Sequence, residues 1–125
     1  MQNTNTYVSA RGDIALACDT YRSLSVLATG VAVKAAPGVV YAYFLYNGSA
    51  AARFIKLYNK ATAPTVGTDV PLVTIPLPAA SAANVYLGPG IAFSAGIGIA
   101  ATQLVADADT TAPAANDVVA NILYK

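Results

Sequence analysis

Apolar residues recur at every second position along much of this chain, and almost nowhere at the spacing of three and four that marks a helix. The clearest run is Val39-Val40-Tyr41-Ala42-Tyr43-Phe44-Leu45-Tyr46, rich in β-branched and aromatic residues and closed by Asn47-Gly48. Both of its faces are apolar, which suits a central strand, or one that meets the core on one side and a subunit contact on the other. A second run, Arg53–Asn59, sets Ile55 and Leu57 against Phe54, Lys56 and Tyr58. With the Asn47–Ala52 connection between them, the two runs are expected to form a hairpin with a slightly long loop. Val118–Tyr124 is again strand-like and is expected to pair centrally in its sheet.

Shorter signals fill the rest. Leu24, Val26 and Ala28 alternate up to Gly30, and Val31–Val33 runs to the turn Ala36-Pro37-Gly38. Pro71, Pro76 and Pro78 punctuate Val70–Pro78, which predicts an edge strand or an extended segment. Asn84–Leu87 and Ile91–Ser94 read as short strands on either side of Gly88-Pro89-Gly90. Ile97 and Ile99 alternate with Gly96, Gly98 and Ala100, where glycine implies a bulge or close backbone approach. Residues 1–22 read as an extended arm, within which Ile14, Leu16 and Cys18 share one face of a short strand. Strands at a spacing of roughly 8–12 residues predict an all-β fold, an antiparallel β-sandwich of jelly-roll or immunoglobulin-like kind. The chain divides into the N-terminal arm, 1–22, and one sandwich domain, 23–125.

Composition changes what the outside of such a sandwich can be. Hydrophobic residues make up 56% and charged residues 10%, against a usual charged share of about 25%. Too few charges remain to cover an isolated surface, so part of it is expected to be rich in Thr, Ser, Asn and Ala and part to be buried in an oligomer. There is no histidine, glutamate or tryptophan, and between Asp69 and Asp107 the only ionisable side chain is Tyr86. That leaves little for acid–base, metal or covalent chemistry, and the expectation is no enzyme and no cofactor. The single cysteine, Cys18, forms no internal disulfide and reads as a small apolar residue.

A net charge of +1 gives no footprint for nucleic acid, and on a strand Arg53 and Lys56 point to opposite faces. Proline and glycine interrupt every apolar run that could make a spanning helix, so no membrane partner is expected. Asp107, Asp109 and Asp117 could supply loop oxygens to a calcium ion, but the EF-hand spacing is missing, and aspartates that cap turns are the expected reading. Arg11-Gly12-Asp13 spells an integrin-binding tripeptide and reads as a turn in the arm. Tyr41, Tyr43, Tyr46, Tyr58 and Tyr86 could form an aromatic platform for sugars, though strand cores and subunit contacts also favour tyrosine. The candidate contact residues are Tyr7, Ile14 and Leu16 in the arm and Tyr41, Tyr43, Tyr46, Phe54 and Tyr58 in the aromatic strands.

The stretch Lys56-Leu57-Tyr58-Asn59-Lys60-Ala61-Thr62-Ala63-Pro64-Thr65-Val66-Gly67-Thr68-Asp69-Val70-Pro71 carries a pattern that continues through Thr74–Pro78, Gly90–Ser94, Asn116-Asp117 and Tyr124-Lys125. It resembles small structural proteins of tailed bacteriophages, over roughly residues 25–125. Among them, jelly-roll capsid decoration (cement) proteins look nearest in size and character. The resemblance implies a virion protein made in the bacterial host cytoplasm and placed on the capsid surface, a homotrimer whose partner is the major capsid protein. A tail, fibre or baseplate component with a receptor- or glycan-binding face is the alternative. The motifs carry no catalytic residue.

Overall fold

A computed structural model describes residues 6–8 and 14–125, with side chains from residue 17 onward. Thr6–Val8 (β1) and Ile14–Leu16 (β2) pair antiparallel with each other. The other eight strands are Asp19–Ser23 (β3), Val31–Lys34 (β4), Gly38–Asn47 (β5), Arg53–Asn59 (β6), Val73–Leu77 (β7), Ser81–Phe93 (β8), Ile97–Thr102 (β9) and Val118–Tyr124 (β10). They form two antiparallel four-stranded sheets, a first of order β3-β10-β5-β8 and a second of order β4-β9-β6-β7. The fold is all-β, and no helix occurs among the described residues.

The pairing is nested. The β6–β7 hairpin lies innermost, followed outward by β5 with β8, β4 with β9 and β3 with β10. Two further ladders, β10 with β5 and β9 with β6, knit the nested pairs into sheets. One apolar core joins the sheets. Val40, Leu45, Ala120 and Ile122 of the first sheet are buried in a single cluster with Ile55, Leu57, Leu77, Ile97 and Ile99 of the second. Burying each of the valine, leucine and isoleucine side chains is worth about 1.5–3 kcal/mol, and with no disulfide this burial is what holds the sheets together.

Several expectations change. Residues 39–46 and 53–59 do not form a hairpin, because β5 belongs to the first sheet and β6 to the second. The chain crosses between sheets at Asn47, whose fully buried amide Nδ2 donates to the carbonyls of Ala51, Leu77 and Pro78 while its Oδ1 accepts from the Ser49 N–H. That side chain ties together backbone groups around the ends of β5, β6 and β7 at the crossing. Residues 24–30 are also a crossing and not a strand; Val26 drops into the core there and donates its N–H to the Val118 carbonyl. Within 1–22, the described residues Thr6–Val8 and Ile14–Leu16 pair with each other, and Asp19–Arg22 lies in β3 at the edge of the first sheet, so the first sheet begins before residue 23.

The two short runs around Gly88-Pro89-Gly90 are one strand, β8. Its ladder with β5 jumps from Ala42↔Tyr86 to Val40↔Ile91, and the excess residues loop out as a bulge. Gly88 and Gly90 take positive φ of 59° and 91°, and a Cβ on Gly90 would lie 2.3 Å from Val39 Cγ1. Only glycine fits Gly90.

Candidate interaction face

The inward faces of both sheets belong to the core, so any functional surface lies outside. The outward rows of the first sheet follow from register. One row is Arg22, Asn121, Phe44 and Asn84; a second is Thr20, Leu123, Ala42 and Tyr86; a third is Val119, Tyr46 and Ala82. Arg22 is the only charge in these rows. Tyr86 is 78% exposed and Tyr46 46%, and the Phe44 and Tyr86 rings meet edge to face at 5.6 Å. That geometry suits the quadrupoles of both rings and holds Tyr86 upright while leaving it in water. The result is a largely uncharged face with aromatic rings standing on it.

The outward face of the second sheet is built differently. Gly98 and Ala100 of β9 lie opposite Tyr58 and Lys56 of β6, so small residues leave a furrow beside two long side chains. Two loops, residues 60–72 and 103–117, close over it. Pro64 packs onto Gly98, where an added Cβ would stand 2.9 Å from Pro64 Cδ, and Gly30 comes so close that its Cβ would lie 2.1 Å from the Pro64 carbonyl oxygen. The loops touch each other where Gly67, at φ 89°, meets Thr110.

Polar side chains stitch the loops down. Lys56 is fully buried and its Nζ donates to the Ala106 carbonyl at 2.6 Å. Burial pulls its pKa below the ordinary lysine value, and the carboxylates of Asp109 and Asp107 only partly offset this. Asp69 accepts from Lys60 Nζ at 2.6 Å and from the Thr65 N–H at 2.7 Å, and these bonds hold its pKa below the usual carboxylate value. Asp109 accepts from the Thr111 hydroxyl and the Leu104 N–H. Burial would raise its pKa, but these bonds, the Thr111 N–H and the nearby Lys56 together lower it. Tyr58 is buried beneath the loops, and its phenol pKa is raised by that burial and by Asp107 and Asp69.

The residues singled out from the sequence are thus dispersed. Of the five tyrosines that could have made one platform, Tyr46 and Tyr86 share the outward face of the first sheet, Tyr43 packs on the core, and Tyr58 lies under the loops of the other sheet. Tyr58 has no surface to offer a partner. Tyr41 sits half-buried at the β5–β8 irregularity, and Phe54 is half-buried on the second sheet. The side chains of Tyr7, Ile14 and Leu16, and the Arg11-Gly12-Asp13 tripeptide, lie outside the described residues. Cys18 is a free, half-buried thiol.

Asp107, Asp109 and Asp117 do not gather: among the described residues no three His, Cys, Asp or Glu side chains come together. Asp109 instead organises its own loop. No family model, curated protein or solved structure matches the chain. Function therefore has to be argued from the two faces. Register adds Phe44, Val119, Leu123 and Tyr86 to Tyr46 as candidate contact residues. Their signal was present in the sequence as the outward half of two apolar alternations, but only the order of the strands aligns them.

Proposed function

We propose that the chain is a structural subunit of a tailed-bacteriophage particle, a capsid decoration protein that clamps neighbouring major capsid subunits. The observation that carries this reading is the largely uncharged aromatic face of the first sheet, on a domain whose other broad face is closed by its own loops. An exposed apolar face of this kind is stabilised by being covered, and a lattice covers it repeatedly. A subunit that binds only the assembled shell stabilises that state by mass action.

The fold we infer is a jelly roll. In that architecture one long antiparallel hairpin rolls up so that its nested pairs distribute over two four-stranded sheets. The orders β3-β10-β5-β8 and β4-β9-β6-β7 are those expected if β3 to β10 are its eight successive strands. The stretch before β3 is proposed as the segment that grasps the lattice. A tail or fibre component is the second reading, favoured by one observation: the Tyr86 and Tyr46 rings stand beside the amides of Asn84 and Asn121, a mixture that also suits sugar rings.

Mixing purified protein with undecorated shells tests the first reading. Binding to the shell is expected, reduced at least tenfold by Tyr46→Ala with Tyr86→Ala, and lost when residues 1–18, the stretch before β3, are removed from a domain that stays folded. Failure to bind shells, with saturable binding of the intact protein to a glycan, would move the chain to the second reading.

A further inference from the structure

The two sheets have four edge strands, and three are guarded against pairing with another chain. β3 carries Asp19 and Arg22, β4 is four residues long with an irregular ladder and Lys34, and β7 contains Pro76. Charges, short length and proline are the devices that keep sheet edges from associating. β8 is the exception. It is the longest strand, among the described strands it pairs only with β5, and from Ser81 to Leu87 it contains neither a charge nor a proline. The bulge at Gly88-Pro89-Gly90 then ends the regular stretch.

We infer that the free edge of β8 pairs with the β8 of a second copy of this chain, antiparallel about a two-fold axis through Asn84, merging the two first sheets into one of eight strands. The occupant follows from the guards. A head-to-tail contact between the four-stranded sheets would need a second unguarded edge among them, and the other three are blunted, whereas a two-fold contact uses one edge twice.

The register follows from the outward side chains. Pairing about Asn84 sets Ser81 opposite Leu87, Ala82 opposite Tyr86 and Ala83 opposite Val85 of the second copy. Each exposed Tyr86 then lies over an alanine, and the two Asn84 amides meet at the axis, where each can donate to the other. The outward rows also become continuous. Val119, Tyr46 and Ala82 of one copy run into Tyr86, Ala42 and Leu123 of the other, a sequence in which large and small side chains alternate. No charge lies within β8, so no like charges oppose across the axis. Shifting by one residue turns outward side chains against the inward set, and shifting by two takes Tyr86 off Ala82 and the Asn84 pair off the axis.

The contact is a short edge, about 24 Å for seven residues, with two tyrosines flanking it. It belongs to the small class of interfaces, at or below about 1,200 Å² in total. A dimer that dissociates on dilution is therefore expected, and a two-fold assembly differs from the trimer that resemblance implies. The inference stands apart from the proposed function, because it concerns the free protein and needs no shell.

Sedimentation of the full chain over a concentration series is expected to show a monomer–dimer equilibrium. Asn84→Lys places two ammonium groups at the axis and should weaken the dimer by about tenfold or more. Thr20→Lys, an equally exposed change on the outward face of β3, should leave it intact. In a Cys18→Ser background, Asn84→Cys is expected to give a disulfide-linked dimer on mild oxidation and Thr20→Cys none, since facing Cα atoms across a ladder lie within disulfide reach. Circular dichroism establishes that each variant is folded. A monomer at all concentrations, a trimer, or a dimer that Asn84→Lys does not weaken and Asn84→Cys does not trap overturns the inference.

Discussion

The outward faces of the two sheets begin from similar strands and end differently. β6 and β5 both carry long side chains outward, Lys56 and Tyr58 on one, Phe44 and Tyr46 on the other. On the second sheet the chain covers its own face, with loops that reach across a furrow of glycine and alanine and are tied at Lys56, Asp69 and Asp109. On the first sheet no loop among the described residues returns over the face, and the Tyr46 and Tyr86 rings stay in water. Alternation alone therefore does not reveal which apolar faces are internal. What decides is whether the adjoining connections are long enough, and their landing site bare enough, for the chain to close over itself.

The comparison can be broken hardest at the landing site. Gly30→Ala drives a Cβ into the Pro64 carbonyl, with Pro64 Cγ and carbonyl carbon also within 3 Å. A loss of roughly 2–3 kcal/mol is expected from overpacking against backbone, read as a fall in the denaturation midpoint. Next is Asn47→Ala. It removes four hydrogen bonds at the crossing, one of them to the buried Leu77 carbonyl, so a loss of about 2–3 kcal/mol is expected by the same measurement.

Acid should loosen one face and spare the other. Asp69 and Asp109 have folded pKa values below 3.8, so their contribution is present above 3.8 and lost as pH falls through the lowered values. Hydrogen exchange in residues 60–72 and 103–117 should accelerate below pH 3.8 before exchange in β5 and β10 does. Synchronous exchange across both sheets would mean that the loops are not held by these carboxylates.

Lys56 gives a slope of the same sign at the alkaline end, where stability again rises with pH. Its folded pKa lies below 10.5, so burying its charge costs stability at neutral pH, and that cost is relieved as pH rises from the lowered value toward 10.5. Lys56→Met, which keeps the stem and frees the Ala106 carbonyl to meet water, should be neutral or stabilising and should remove this slope. The smallest effect on stability is expected from Tyr86→Ala, within about 0.5 kcal/mol. The same change should cut shell binding and weaken the dimer, and a large loss of stability would show that Tyr86 belongs to the fold and not to a contact.

Much of this was legible residue by residue. β5, β6 and β10 stand where alternation and β-branched content put them, β10 is central, and proline placed β7 at an edge. The hairpin expected between β5 and β6 failed because a turn signal at Asn47-Gly48 reports only that the chain bends. Whether it bends within a sheet or across to the other was decided by the Asn47 amide meeting carbonyls 30 and 31 residues away. Alternation placed Lys56 only on the strand face opposite Ile55 and Leu57, and its burial depends on a loop whose carbonyl lies 50 positions along. The β8 bulge was hidden because Gly-Pro-Gly is equally a strand terminator.

The nested order has a further consequence, for the route by which the molecule forms. The β6–β7 ladder closes locally, but β10 sits between β3 and β5, so the first sheet has no centre until β10 is available. Before then, β3 and β5 present unpaired edges toward a gap, and the apolar residues on both sides of β5 are open to any other strand. Topologies that close so late fold slowly and expose their partially built states to misassembly, which makes β10 the gatekeeper of how much of this polypeptide reaches its finished form.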